Sequence, residues 1–143
     1  MALIVVELQM GHRNKGNHVQ NGIVLKTENY AACCTFYGEK LGLPVIFVED
    51  HETWNITCFG IGSGYLMVET GGIGAPPEKS FAQSPVKIRL NVDDLEKSVA
   101  EIRENGLDAE IQRHDWGNVS EINDPDGNRI ALRQHSSVYT LKS

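Results

Sequence analysis

The sequence predicts an α+β fold in which one βαβββ unit is written twice between Gly22 and about Gln134. Each half opens on a short alternating strand, Gly22–Thr27 and then Lys87–Val92. Each strand runs into an acidic or amide cap and an amphipathic helix that ends in a Gly-Leu pair, Gly42-Leu43 and Gly106-Leu107. Three further strand-like stretches follow in each half, the last being Gly64–Thr70 and Asn128–Arg133. Self-similarity of this kind describes architecture before it describes anything else. A chain of 143 residues is long enough for one core and too short for two independent ones. The repeats are therefore halves of a single domain: 1–20 an N-terminal strand and connector, 21–70 module one, 71–84 a linker, 85–136 module two.

Taken in order, Leu3–Leu8 reads as a strand by its β-branched content. It is either an extra edge strand or an arm that docks on a partner subunit. Gly11 to Asn17 is a polar connector. The first helix is expected from Tyr30 to about Leu41 with Asn29 as cap, its buried stripe being Tyr30, Cys33 or Cys34, Tyr37 and Leu41. The second runs from about Leu95 to Asn105, with Asp93 and Glu96 spaced as a capping box and Gly106 as the stop. Leu95, Val99 and Ile102 form its apolar stripe. Gly71 to Ser84, rich in Gly and Pro, is the hinge between modules; it lacks the strand-to-helix setting of a dinucleotide loop. Asp124-Pro-Asp-Gly127 is turn chemistry, without the remaining ligands of a calcium loop.

Composition narrows the partners. A net charge of −6 with no Lys/Arg run argues against a nucleic-acid surface. The apolar start, Met1 to Met10, lacks a basic region and a cleavage site and contains Glu7, so it reads as neither signal peptide nor membrane span. Three cysteines cannot all pair, and Cys33 and Cys34 are adjacent on a helix. A reducing cytoplasm is the simpler setting.

Strand alternation assigns the faces. Ile88, Leu90 and Val92 oppose Lys87, Arg89 and Asn91. Leu66 and Val68 oppose Tyr65, Met67 and Glu69, while Ile130 and Leu132 oppose Arg129, Ala131 and Arg133. The apolar set is the face that a helix covers. In module one Ile23, Leu25 and Thr27 share a face, and Gly22, Val24 and Lys26 the other.

Phe36-Tyr37 followed by Lys40-Leu41-Gly42-Leu43, and then Asn91-Val-Asp-Asp-Leu95 and Asp124-Pro-Asp-Gly-Asn128 leading into Arg129-Ile-Ala-Leu132, resemble the vicinal oxygen chelate superfamily. That superfamily includes glyoxalase I, extradiol dioxygenases and bleomycin- and fosfomycin-resistance proteins. The resemblance covers roughly residues 21 to 134. It implies two modules forming a curved mixed sheet around a cavity, helices on the outer face, in a homodimer.

The resemblance also implies where a metal would be held: on the first and last strand of each module. Those positions fall at Gly22, Met67, Lys87 and Ala131. Gly and Ala bring no donor, Lys would have to lose a proton, and a thioether is a soft ligand. The expectation is therefore no metal and no other cofactor. His12, His18, His51, His114 and His135 show no close ligand-like pair.

What the cavity face holds is charge: Lys26, Arg89 and Arg133, with Lys87 and Glu69, beside Tyr65 and Met67. An ion pair of Glu69 with Lys26 or Arg133 is one account; a bound carboxylate, phosphate or phenolate is the other. Trp54 and Trp116 are either lids that stack on a ligand or dimer contacts. The expected function is a metal-free small-molecule-binding protein, its ligand small and acidic or partly apolar, touching Lys26, Trp54, Tyr65, Met67, Glu69, Arg89 and Arg133. Two alternatives stand beside it: an enzyme with a rearranged metal site or with Glu69 as general base, and a dimeric structural module with a vestigial cavity.

Overall fold

The computed structural model describes residues 20–74 and 78–135. The expected strand Leu3–Leu8, the connector Gly11–Asn17, His12 and His18 lie outside the described residues. The chain divides into two compact units, Met1–Gly74 and Ala75–Ser143. Each holds one four-stranded mixed sheet, and neither sheet closes on itself.

In module one β1 (Gly22–Thr27) leads into helix α1 (Tyr30–Cys34), which continues as a wider π-wound segment, Thr35–Lys40. Strands β2 (Val45–Asp50), β3 (Asn55–Ile61) and β4 (Gly64–Thr70) follow. In module two β5 (Lys87–Val92) leads into α2 (Leu95–Glu104), then β6 (Gln112–His114), β7 (Gly117–Asn123) and β8 (Arg129–Gln134). The sheet orders are β1-β4-β3-β2 and β5-β8-β7-β6, so each first strand lies parallel to its module's last strand and at an edge.

The helices lie over the apolar faces that alternation selects. Cys33, Phe36 and Tyr37 are buried under α1 and its continuation, together with Phe59, Leu66 and Val68 of the sheet. Phe36 meets Tyr37 edge-on at 5.0 Å between ring centres. The expected stripe named Leu41 and omitted Phe36; Leu41 is only half-buried, because π winding rotates the turn that follows Cys34. In module two Leu95, Val99 and Ile102 pack over Ile122, Ile130 and Leu132, all buried. Each such side chain removed from water contributes about 1.5–3 kcal/mol.

The helix ends explain the Gly-Leu pairs. Gly106 takes φ 94°, and Leu107 N–H closes on the Ile102 carbonyl at 3.0 Å, satisfying a carbonyl the helix leaves open. At the start of α2 the cap is Asp94, whose carboxylate accepts from Lys97 N–H at 3.0 Å. Asp93, expected to cap, lies one residue too early; its carbonyl instead accepts from the Gln134 amide, whose oxygen takes the Leu95 N–H.

Candidate functional site

Strand register puts the expected site residues in matching places. On the face away from α1, Gly22 lies opposite Tyr65, Val24 opposite Met67 and Lys26 opposite Glu69. On the same face of module two, Lys87 lies opposite Arg129, Arg89 opposite Ala131 and Asn91 opposite Arg133. Gly22 and Lys87 are thus equivalent, as are Met67 and Ala131.

Those four positions do not suit the divalent metal that the resemblance implies. A Cβ built on Gly22 would stand 2.2 Å from ring carbons of Tyr65, so the ring occupies the space a ligand side chain would need. The Lys87 ammonium is ion-paired with Glu121. Ala131 is fully buried and offers no donor. Met67 offers only a thioether, a poor partner for a hard ion. Among the described residues no three His, Cys, Asp or Glu side chains gather as a metal cluster.

The remaining expected residues have individual fates. Lys26 and Glu69 pair across strands at 3.2 Å, with the lysine side chain 57% exposed. An exposed pair contributes about 0–1 kcal/mol. Glu69 thus faces a cation across the strands, its own side chain 22% exposed. Arg133 donates from Nη2 to the Trp116 carbonyl at 3.1 Å, and its guanidinium lies 5.1 Å from the indole. Arg89 is exposed, and no hydrogen bond or ion pair engages it among the described residues.

Both tryptophans sit at hairpin turns. Trp54 precedes β3 and stacks on His51 at 3.7 Å; His51 N–H donates to the Trp54 carbonyl at 2.9 Å. Trp116 precedes β7 and stacks on His114 at 4.5 Å and 9°. Each indole is thus bound up with its own turn, although both stay exposed. His135, the last described histidine, donates its backbone N–H to the Val92 carbonyl.

Two groups have perturbed acidity. Burial pushes the Tyr30 phenol up to about 12, against the opposing effect of its hydrogen bond with Thr57. Burial also raises the Cys58 thiol, which lies on the Met67 side of the module-one sheet.

Module two carries a cleft of about 370 Å³ that alternation alone does not reveal. Glu78, Lys79 and Phe81 form one side and Glu121, Asn123 and Arg129 the other. Arg129 builds it: its guanidinium donates to the carbonyls of Lys79 and Ser84 and carries the Phe81 ring 4.1 Å away. Lys79 adds a backbone bond to the Gly127 carbonyl and a side-chain bond to Asn128, both 2.9 Å. Parity put Arg129 on this face. The segment 78–84 has no periodicity to betray it, because it is shaped by bonds to a distant arginine.

The sequence model of the Glyoxalase/Bleomycin resistance protein/Dioxygenase superfamily matches residues 17–132. The chain belongs to that superfamily. The uncharacterised protein YraH of Bacillus subtilis is 27% identical over 119 residues, which are 77% of this chain and 93% of YraH. Solved structures share the superfamily fold. The YycE protein of B. subtilis, described as a putative glyoxalase/fosfomycin resistance protein, matches with a TM-score of 0.66 at 19% identity, covering 91% of this chain and all of YycE. TnmS3, an antibiotic binding protein from Streptomyces sp. CB03234, matches with a TM-score of 0.60 at 20% identity over 83% of this chain and 96% of its own.

Proposed function

We propose that this protein binds a small molecule without a metal, as a sequestering or sensing protein, and that the ligand is a partly apolar acid held on the open sheet face of module two. The observation that carries this is Arg89. It is a cation with no partner among the described residues, and it lies one pair of positions along the sheet from the row Lys87–Arg129–Asn123, whose last two members line the cleft. Two residues of strand span about 7 Å, so an acid at Arg89 leaves its body within reach of the cleft. A guanidinium with its fork free suits a planar carboxylate. The cleft falls within the range of volumes that small-molecule sites have. TnmS3, a binder by description, shares the fold, which favours binding over turnover as the first reading.

The proposal extends to a homodimer in a reducing cytoplasm. Three free cysteines suit that compartment, and the superfamily resemblance suggests the dimer.

Native mass spectrometry with a library of small acids, amines and neutral compounds tests the reading. Acids should be retained, and Arg89→Ala should weaken them by about 1 kcal/mol, the upper end for an ion pair at an exposed site. Glu69→Gln should leave binding equal, because Glu69 faces Lys26 in the other module. Retention of cationic compounds alone, with Arg89→Ala silent, would replace this reading by an acidic-groove binder.

A further inference from the structure

We propose that Phe81 is a pre-set stacking platform and that it makes the module-two cleft selective for acids carrying a planar aromatic ring. This deepens the preceding reading and relies on it for the position of the acid group. Phe81 is 69% exposed, yet it lies in the lining of a cleft, and its ring is held over the Arg129 guanidinium. A large exposed phenyl on a polar segment ordinarily costs solvation without return. Here one face of the ring is engaged by a cation, and most of the remaining ring surface is open.

The segment that presents it is fixed at both ends. Lys79 N–H bonds to the Gly127 carbonyl, and the Lys79 and Ser84 carbonyls both accept from Arg129. Between them a tight turn closes on itself: Gln83 and Ser84 N–H donate to the Ser80 carbonyl, while Ser80 N–H donates to the Gln83 side chain. The backbone that carries the ring is thus ordered before any ligand arrives, and the guanidinium contact favours one ring position, so stacking a ligand on it costs less ordering. The guanidinium draws π density toward one face. The opposite face is left less negative, which lessens its repulsion of a second π face. Asn123, on the other side of the cleft, brings an amide that can donate and accept at the ligand's edge.

The test uses full-length, isotope-labelled protein titrated by NMR with two matched pairs: benzoate against cyclohexanecarboxylate, and benzamide against cyclohexanecarboxamide. The aromatic member of each pair should bind about three- to tenfold more tightly, with ring-current shifts at the backbone amides of residues 80–84. Phe81→Leu keeps an apolar side chain at this exposed site and should reduce that ratio to near one, with the amide spectrum away from residues 78–84 unchanged as the check that the fold is kept. Arg129→Lys keeps the charge but loses the fork, and it should reduce the ratio too. Equal affinity within each pair, or a ratio that survives Phe81→Leu, would overturn the platform even if Arg89 still governs acid binding. If no acid binds but benzamide does so through Phe81, the platform stands and the assignment of an acid ligand falls.

Discussion

A Cβ at position 22 would lie 2.2 Å from the Tyr65 ring, and this one contact separates two opposing effects. Glycine within a strand is worse than alanine by roughly 0.5–1 kcal/mol, so propensity alone favours Gly22→Ala. Forcing a methyl into occupied space costs about 1–3 kcal/mol, and the obstructing atoms include the ring's base as well as its edge. The clash should win. We expect Gly22→Ala to lower the urea midpoint, and the same change in a Tyr65→Ser background to raise it or leave it level. A double-mutant cycle in which the two changes simply add would show that the ring yields freely. The missing donor at Gly22, where the resemblance implies a metal ligand, was legible in the sequence. That the position is also physically filled was not, since register with Tyr65 depends on which strand pairs with β1.

At the scale of elements, the repeat contains more than alternation reveals. Twenty residues separate Gly22 from Gly42, whereas nineteen separate the equivalent Lys87 from Gly106. The connections from first strand to helix are equally long, so the additional residue lies inside the first helix. It is taken up by π winding: Leu43 N–H reaches back six residues to the Tyr37 carbonyl, where Leu107 N–H reaches back five to Ile102. The same comparison identifies the second helix cap. Asn29 stands immediately before α1 as Asp94 stands before α2, so laying the halves side by side selects Asp94 over Asp93, although the Asn29 side chain, expected to cap, makes no cap hydrogen bond. Asp94→Ala should cost about 1 kcal/mol, while Asp93→Ala, whose backbone carbonyl supplies the contact with Gln134, should stay within about 0.5 kcal/mol of the wild type in chemical denaturation.

Helix α1 is tied to β3 by the Tyr30–Thr57 hydrogen bond, and this link has a pH signature. Tyr30 ionises near 10.0 when unfolded and about 12 when folded, so the unfolded chain loses its proton first as pH rises. Its contribution to stability is complete below the lower value and is lost across the window between the two. Stability should therefore fall through that window, and Tyr30→Phe should flatten the fall while lowering stability at neutral pH through loss of the bond. Phenolate absorbance showing all four tyrosines titrating together near 10 would contradict the burial of this phenol.

For the molecule as a whole, the two modules repeat strand order and register but not chemistry. The positions at Gly22, Met67, Lys87 and Ala131 carry a glycine whose Cβ space a ring occupies, a thioether, an ion-paired ammonium and a buried methyl. Restoring a metal would need changes at all four, because any single donor leaves a hard cation short of its oxygen and nitrogen ligands. Arg89, a cation without a partner among the described residues, also runs against a chain of net charge −6, so local electrostatics and the overall balance point to different partners. Binding that favours the native state adds about 2.7 kcal/mol when a ligand is present at a hundredfold excess over its Kd, which moves a melting midpoint by several degrees in a domain of this size. We expect no such shift from zinc, manganese, nickel or ferrous iron, and no loss of stability in EDTA. An aromatic acid should instead raise the midpoint, and Arg89→Ala should reduce the rise without altering the unliganded value. Near-stoichiometric metal in elemental analysis, lost when Met67 or Lys87 is replaced, would mean that these side chains rearrange to coordinate an ion. The metal-free reading would then fail even though the fold that suggested it still holds.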